Sequence, residues 1–397
     1  MKKISFNSIC AKEIHDPKTS KPHILPIYAS SSYVFEDTQF CMDVFAGKEK
    51  AHVYSRYGNP TIDAVANKLA ALESYGIEHI TAQGFLTSSG MSAIFTVLSG
   101  LLQQGDKVLT QGNLYGGTTE LLLKIFKKLG VEPVFIDLKN QDELQKTITS
   151  TPAIKLIYLE TPANPTLSCI DLDQLSSIAQ ENNLITVIDN TFATPYLQQP
   201  LKHGIDIVIH STTKYLNGHG NSIAGAIITA DEDYASQIWT ALKLTGGTCN
   251  AWDAWLLHNG LKTLPLRMER HCSNALAVAR FLSDHSKVIT TNYPGLATHD
   301  SHDIASHQMN AYGGMLSFEL AGGLQAGIAF LNKLHFCTQA PTLGDVDTLV
   351  LHPASSSHIK VAAPLREANG ITDGLVRISV GIEDVLDIID DLEQAIG

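Results

Sequence analysis

No two cysteines of this 397-residue sequence stand at CxxC spacing; Cys10, Cys41, Cys169, Cys249, Cys272 and Cys337 are scattered singly. That excludes zinc ribbons, zinc knuckles and dithiol redox motifs. In a chain this long, six dispersed cysteines read as reduced thiols rather than a disulfide framework. Long apolar runs are missing as well. Stretches such as Ala224-Gly225-Ala226-Ile227-Ile228 fall far short of the roughly 20 residues that a membrane span needs. The opening MKKISFNSICAKEIHDP has no apolar segment of signal-peptide length. Asn-x-Ser/Thr acceptor sites do not occur, since Asn59-Pro60-Thr61 and Asn164-Pro165-Thr166 both carry the excluded proline. Basic charge is in deficit: 28 Lys and Arg face 40 Asp and Glu, for a net −12, which argues against a broad nucleic-acid surface. Neither GxGxxG in a strand–turn–helix context nor GxxxxGK followed by Ser or Thr is found, so Rossmann and P-loop readings have no support. These absences lead to the expectation of a cytoplasmic chain with no membrane and no nucleic-acid partner.

What is present has a clear order. Residues 1–60 mix Pro17, Pro22, Pro26 and Pro60 with many aromatics, and few regular elements are expected there. The ring content argues against a mobile arm, because exposing so much aromatic surface is unfavourable. From Thr61 onward helix and strand patterns alternate. TIDAVANKLAALES sets Val65, Leu69 and Leu72 on one helical face, and IKLIYL, LITVI and IDIVI are apolar on both faces. Such alternation predicts an α/β domain with a largely parallel sheet. After about residue 245 a long helical region, broken near Pro265, leads into the sheet-like GGMLSFELAG and LVRISVG and a final amphipathic helix. A second, smaller α+β domain is expected there.

Ligands of open α/β sheets bind beyond the carboxyl ends of the strands. Glu160, Asp189 and the run His210, Ser211, Thr213 and Lys214 all follow apolar strands, and Ser88-Ser89-Gly90-Met91 opens a helix. A strand-end lysine can be desolvated into a nucleophile for a carbonyl. A buried aspartate needs a cation or a donor. A helix start favours an anion, with serine N-capping as the plainer alternative. Lysine, aspartate and phosphate cradle are together the three parts of a pyridoxal phosphate site. His219 and the group His299, His302 and His307 lack metal-ligand spacing and read as loop and surface residues, so no metal is expected.

The stretches YSRYGNPT (54–61), SSGM (88–91), LYGGT (114–118), ETPANPT (160–166), VIDNTFATPYLQQP (187–200), HSTTKYLNGHG (210–220), GLKTLPLRMERH (260–271) and GLVRISVGIED (374–384) span nearly the whole chain. In them the chain resembles the Cys/Met metabolism family of pyridoxal phosphate enzymes. That family includes methionine γ-lyase, cystathionine γ-synthase, cystathionine lyases and homoserine-ester sulfhydrylases. The resemblance implies the type I transferase fold: a large domain with a mostly parallel seven-stranded sheet between helices, and a smaller C-terminal domain. It implies an N-terminal arm over 1–60 that serves a neighbouring subunit's site, a cofactor domain over 61–250 and a C-terminal domain over 251–397. It also implies a homotetramer built from dimers.

The resemblance further implies residue roles. Lys214 becomes the lysine joined to the cofactor, Asp189 the partner of the pyridine nitrogen, and Tyr115 the ring that stacks on the cofactor and acts as acid. Gly90, Met91, Ser211 and Thr213 hold the phosphate, joined by Tyr54 and Arg56 from the neighbour. Arg377, with Asn164 and Thr342, clamps the substrate carboxylate. Among activities, the tail with HPAS (352–355) resembles methionine γ-lyase, ranked first, with cystathionine γ-lyase or γ-synthase second and a homoserine-ester sulfhydrylase third. Gly117 stands where methionine γ-lyases typically carry cysteine. Pro341-Thr342 stands where cystathionine-using members typically carry Glu-Ser, which argues for a shorter or less polar γ-substituent.

Overall fold

In the computed structural model, residues 4–12, 22–357, 359, 366–367 and 370–397 are described. Their first sheet contains β1 (Gln83–Thr87), β2 (Lys107–Gln111), β3 (Glu132–Ile136), β4 (Ile154–Glu160), β5 (Ile185–Asp189), β6 (Ile207–Ser211) and β7 (Gly225–Thr229). The spatial order is β1-β7-β6-β5-β4-β2-β3. Only β7 runs against its neighbours; β6, β5, β4, β2 and β3 pair in parallel. The expected seven-stranded, mostly parallel sheet is therefore present.

Strand parity divides this sheet's side chains between two cores, because successive residues point to opposite faces. On β4, Leu156 and Tyr158 join one cluster, and Ile157 and Leu159 the other. On β6, Ile207 and Ile209 take the first side and Val208 the second. The first side is closed by Ala93, Ile94 and Val97 of α2 (Gly90–Leu101), and the second by Val65, Leu69 and Leu72 of α1 (Pro60–Glu73). Each such valine, leucine or isoleucine, fully withdrawn from water, contributes about 1.5–3 kcal/mol. Both faces being covered explains why these strands read as unbroken apolar runs.

The second sheet joins β8 (Val288–Asn292), β9 (Met315–Leu320), β10 (Thr338–Gln339), β11 (Leu349–Leu351) and β12 (Leu375–Ser379) in the order β10-β11-β12-β9-β8. All its pairs are antiparallel except β10 with β11. Between the two sheets run α4 (Ala251–Lys262) and α5 (Leu264–Asp284), the break falling at Thr263 with Pro265 in the first turn of α5. Pro265 is tolerated there because its missing N–H is not needed in a first turn.

Some elements escaped the sequence reading. Residues 1–60 hold two short helices, Phe6–Ala11 and Thr38–Phe45, while residues 13–21 lie outside the described set. Strand β1 was not expected, since QGFLT carries a glycine. At Gly84 a Cβ would come 2.4 Å from the Ala66 carbonyl oxygen, so the missing side chain lets α1 lie directly on the strand. Among the described residues no helix is long and apolar enough to cross a membrane.

Candidate active site

Parity also selects the site. Glu160, Asp189 and Ser211 end β4, β5 and β6, two residues on from Tyr158, Val187 and Ile209, which belong to the α2 side. All three therefore present their side chains to the face covered by α2. Glu160 and Asp189 are directly paired in the ladder. Asp189 Oδ1 accepts from the Thr191 backbone N–H at 3.0 Å and from the Thr191 hydroxyl. The same Thr191 Oγ1 accepts the Ser211 N–H at 2.8 Å, tying the ends of β5 and β6 together. Burial pushes the Asp189 carboxyl above its usual range, and the two Thr191 hydrogen bonds act against that rise. A buried carboxylate of this kind is suited to a cationic partner.

Helix α2 opens against this edge. Ser89 Oγ accepts the Ser92 N–H at 3.1 Å, so the plain capping reading holds for Ser89. At Gly90 a Cβ would stand 2.8 Å from Ser211 Cβ and 3.1 Å from Ser211 Oγ. Glycine is needed there for the helix start to meet the strand end. The Thr213 hydroxyl is engaged with Ala224, donating to its carbonyl at 3.2 Å and accepting its N–H at 3.2 Å.

Lys214 is half-buried, and its ammonium donates to Thr342 Oγ1 at 2.8 Å. Desolvation first, and then the Arg377 charge, bring its pKa from 10.5 down to about 8. The Thr342 loop rests on the lysine backbone: at Gly344, where φ is +77°, a Cβ would come 2.6 Å from the Tyr215 nitrogen and 3.2 Å from Lys214 Cα. Arg377, on the buried strand β12, donates to the Thr342 carbonyl at 3.1 Å and to Asn164 Oδ1 at 3.4 Å. Its buried Nε has no hydrogen-bond partner among the described residues, and desolvation lowers its pKa to about 10. A buried guanidinium with an unused N–H fits a carboxylate that arrives with the substrate.

Tyr115 precedes α3 (Gly116–Lys124), its ring 52% exposed and its N–H donated to Glu160 Oε2 at 2.8 Å. At Gly117 a Cβ would meet Tyr115 Cε1 at 2.6 Å and Met91 Sδ at 3.1 Å, which puts Met91 beside the tyrosine. These contacts form two chains, one from Lys214 through Thr342 and Arg377 to Asn164 and one from Tyr115 through Glu160, Asp189, Thr191 and Ser211 to Gly90. A lysine of lowered pKa, a buried strand-end carboxylate and a glycine helix start are the donor set for pyridoxal phosphate, and they fit it.

Tyr54 and Arg56 lie outside both sets of contacts. Arg56 donates to the Lys243 carbonyl and stands 4.8 Å over the Tyr57 ring and 5.7 Å from that of Tyr54. Tyr54 and Tyr57 are 42% and 38% exposed, so this group lies at the surface of the chain. The histidines also differ from expectation. His299 and His302 are partly buried, with His302 bonded to the Pro294 carbonyl at 2.7 Å and stacked on Tyr312, while His307 is exposed beside Asp173. A cavity of about 760 Å³ is lined by Gln111, Asn113, Thr166, Ser168 and His299 and by none of the expected site residues.

Sequence reasoning missed Thr191 as the tie between strands, although its position two after an aspartate is the spacing of an Asx turn. It also missed Glu73. That carboxylate, fully buried, meets His210 Nε2 at 2.5 Å and the Asn190 amide at 3.3 Å on the opposite face. No local pattern marks a helix-end glutamate as the partner of a histidine 137 residues away.

The sequence pattern of the family described as "Cys/Met metabolism PLP-dependent enzyme" matches residues 7–397. An L-methionine gamma-lyase of Fusobacterium nucleatum subsp. polymorphum is 47% identical over 94% of this chain and 93% of its own. A cystathionine beta-lyase of Lactococcus lactis subsp. cremoris is 41% identical over 98% and 99%. Among solved structures, cystathionine gamma-lyase from Lactobacillus plantarum, complexed with L-serine, superposes with a TM-score of 0.90 at 35% identity, covering 99% of this chain and 98% of that one. Cystathionine gamma synthase from Xanthomonas oryzae pv. oryzae, in complex with aminoacrylate and cysteine, gives 0.91 at 37% identity with the same coverage.

Proposed function

The chain belongs to the Cys/Met metabolism PLP-dependent enzymes, and on that premise we propose that it breaks the Cγ–sulfur bond of a cystathionine-type thioether amino acid, or forms it from a thiol as the Cγ–oxygen bond of a homoserine ester breaks. The type I fold, the pyridoxal phosphate cofactor and the coarser chemistry, γ-elimination or γ-substitution on a sulfur-containing amino acid, follow from family membership. For the substrate, the likeness to cystathionine γ-lyase and γ-synthase along 99% of the chain carries the reading. Methionine is the second reading, favoured by the 47% identical relative and by Pro341-Thr342, which supplies no carboxylate to read a distal amino group.

Bound pyridoxal phosphate supplies an electron sink for the charge left at Cα. The rest is the work of side chains. Arg377, positioned by Asn164 and the Thr342 carbonyl, binds the substrate carboxylate through two N–H groups. Asp189 holds a positive charge on the ring nitrogen. Lys214 Nζ, a free amine with its pKa lowered to about 8 in this structure, would carry the cofactor and, once the substrate amine had displaced it, would move the Cα proton and then take a proton from Cβ, whose electron pair forms the Cβ–Cγ double bond as the Cγ–sulfur bond breaks. The Tyr115 hydroxyl gives a proton to the departing sulfur. Gly90, Met91, Ser211 and Thr213 receive the phosphate at the start of α2. Tyr54 and Arg56, facing outward here, serve a neighbouring copy, with residues 1–60 as the arm that reaches it. The cofactor domain covers 61–250 and the C-terminal domain 251–397, and dimers pair into a tetramer.

A substrate panel tests this. The holoenzyme is given cystathionine, methionine, and O-acetyl- or O-succinylhomoserine with a thiol, and scored for 2-oxo acid, thiol and new thioether. The highest kcat/KM is expected with cystathionine or its synthesis. A clear preference for methionine moves the assignment to the second reading, and no turnover of any γ-substituted substrate refutes both.

A further inference from the structure

Glu160 is a strand-end carboxylate for which the chemistry above has no task. We propose that Glu160 is a positioning residue acting through Tyr115: it fixes the tyrosine's backbone at the start of α3 so that the ring stands over the cofactor. This rests on the reading that Tyr115 covers the cofactor.

Both oxygens of Glu160 bind the first turn of α3. Oε2 takes the Tyr115 N–H at 2.8 Å, and Oε1 takes the Thr118 hydroxyl at 3.4 Å. The turn has no side-chain cap of its own, so the anchor comes from another strand. Glu160 is itself immobilised. Gln111 accepts its N–H at 3.1 Å and donates to its carbonyl at 3.0 Å, and the residue is 6% exposed. The tyrosine it holds is followed by Gly116 and Gly117, and a Cβ at Gly116 would touch nothing within 4 Å. Such a segment has little stiffness of its own, and a hydrogen bond to the buried Glu160 of a rigid strand supplies it. Holding this carboxylate is costly. Burial first, and then the charge of Asp189, push its carboxyl well above the usual range. A stabilising cap alone would come more cheaply from a serine or aspartate at the helix start.

The test measures the dissociation constant of pyridoxal phosphate from the apoprotein, by equilibrium dialysis, for wild type, Glu160→Ala, Glu160→Gln, Tyr115→Ala and the double variant Glu160→Ala/Tyr115→Ala. Leaving the Tyr115 N–H without its acceptor weakens binding on the order of tenfold in Glu160→Ala. Glu160→Gln keeps an acceptor for the Tyr115 N–H and regains most of that loss. The double variant binds no more weakly than Tyr115→Ala alone, because Glu160 works through the tyrosine. Multiplying losses in the double variant, or wild-type affinity in Glu160→Ala, overturns the proposal. If Glu160→Ala does not fold, Glu160→Asp, which withdraws the carboxylate by one methylene, is expected to weaken binding in the same way, and wild-type affinity there overturns it. A Tyr115→Ala protein that binds as wild type removes the tyrosine's assignment as well, while a coupling failure with that effect intact removes only the role of Glu160.

Discussion

Capture of pyridoxal phosphate by the apoprotein requires an unprotonated amine, so its rate follows the neutral fraction of Lys214. With a pKa of about 8, about half of the lysine is neutral at pH 8. An ordinary lysine at 10.5 would be about 0.3% neutral, roughly 150-fold less. Burial is the larger cause of the shift and the Arg377 charge the smaller. Arg377→Gln, which removes that charge, is expected to raise the pKa of Lys214 and slow capture at pH 8 by well under that factor. Arg377→Lys keeps the charge and leaves the midpoint in place. It forfeits the two-pronged grip on the substrate carboxylate, worth about 1.5–3 kcal/mol, and so raises KM by about 10- to 150-fold. The assay is stopped-flow growth of visible absorbance after mixing apoprotein and pyridoxal phosphate between pH 6.5 and 10, with Lys214→Ala as the blank. A wild-type midpoint near that of free lysine, or an Arg377→Gln midpoint that does not move upward, refutes the reasoning.

Gly90→Ala puts a methyl 2.8 Å from Ser211 Cβ; the strain, about 1–3 kcal/mol, should weaken cofactor binding by about 5- to 150-fold in a dialysis titration, and unchanged affinity would show that the helix start yields freely. Glu73→Gln disturbs the fully buried contact with His210 and is expected to cost about 1–3 kcal/mol in chemical denaturation. Asp391 is buried and accepts the N–H groups of His335, Phe336 and Cys337 at 2.9, 3.0 and 2.8 Å. Burial alone would raise its pKa, but these bonds together with Gln394 hold it below its ordinary value. Its stabilising contribution is therefore complete above the unfolded pKa and lost as pH falls through the lower folded one. Asp391→Asn should lower the melting temperature at neutral pH, and the gap to wild type should close in acid; a gap that persists in acid argues against a charge effect.

Much of this molecule is written in local pattern. Unbroken apolar runs identify β4, β5 and β6, the 3.6-residue spacing identifies α1 and the C-terminal helix Val385–Ile396, and the strand-end positions of Asp189 and Ser211 follow from the former. Strand β1 was illegible because Gly84 makes sense only beside Ala66, a contact between two elements. The ties through Thr191 and Glu73 were illegible because their partners lie far along the chain. The surface placement of Arg56 depends on its bond to the Lys243 carbonyl, 187 residues away, which no nearby residue specifies.

The amino-acid order alone determined which residues carry lone chemistry: a lysine and an aspartate, each after an apolar run, and a glycine at a helix start. Local sterics and hydrophobic spacing act over a few residues, so they are readable there. Only the tertiary structure decided that Lys214, Thr342, Arg377 and Asn164 meet, because that requires the second sheet to lie against the first. It also decided the ionisation of the site. The lowered pKa of Lys214 and the raised ones of Asp189 and Glu160 come from loss of water, to which Arg377 adds at Lys214 and Asp189 adds at Glu160, and both causes exist only once distant segments have packed together.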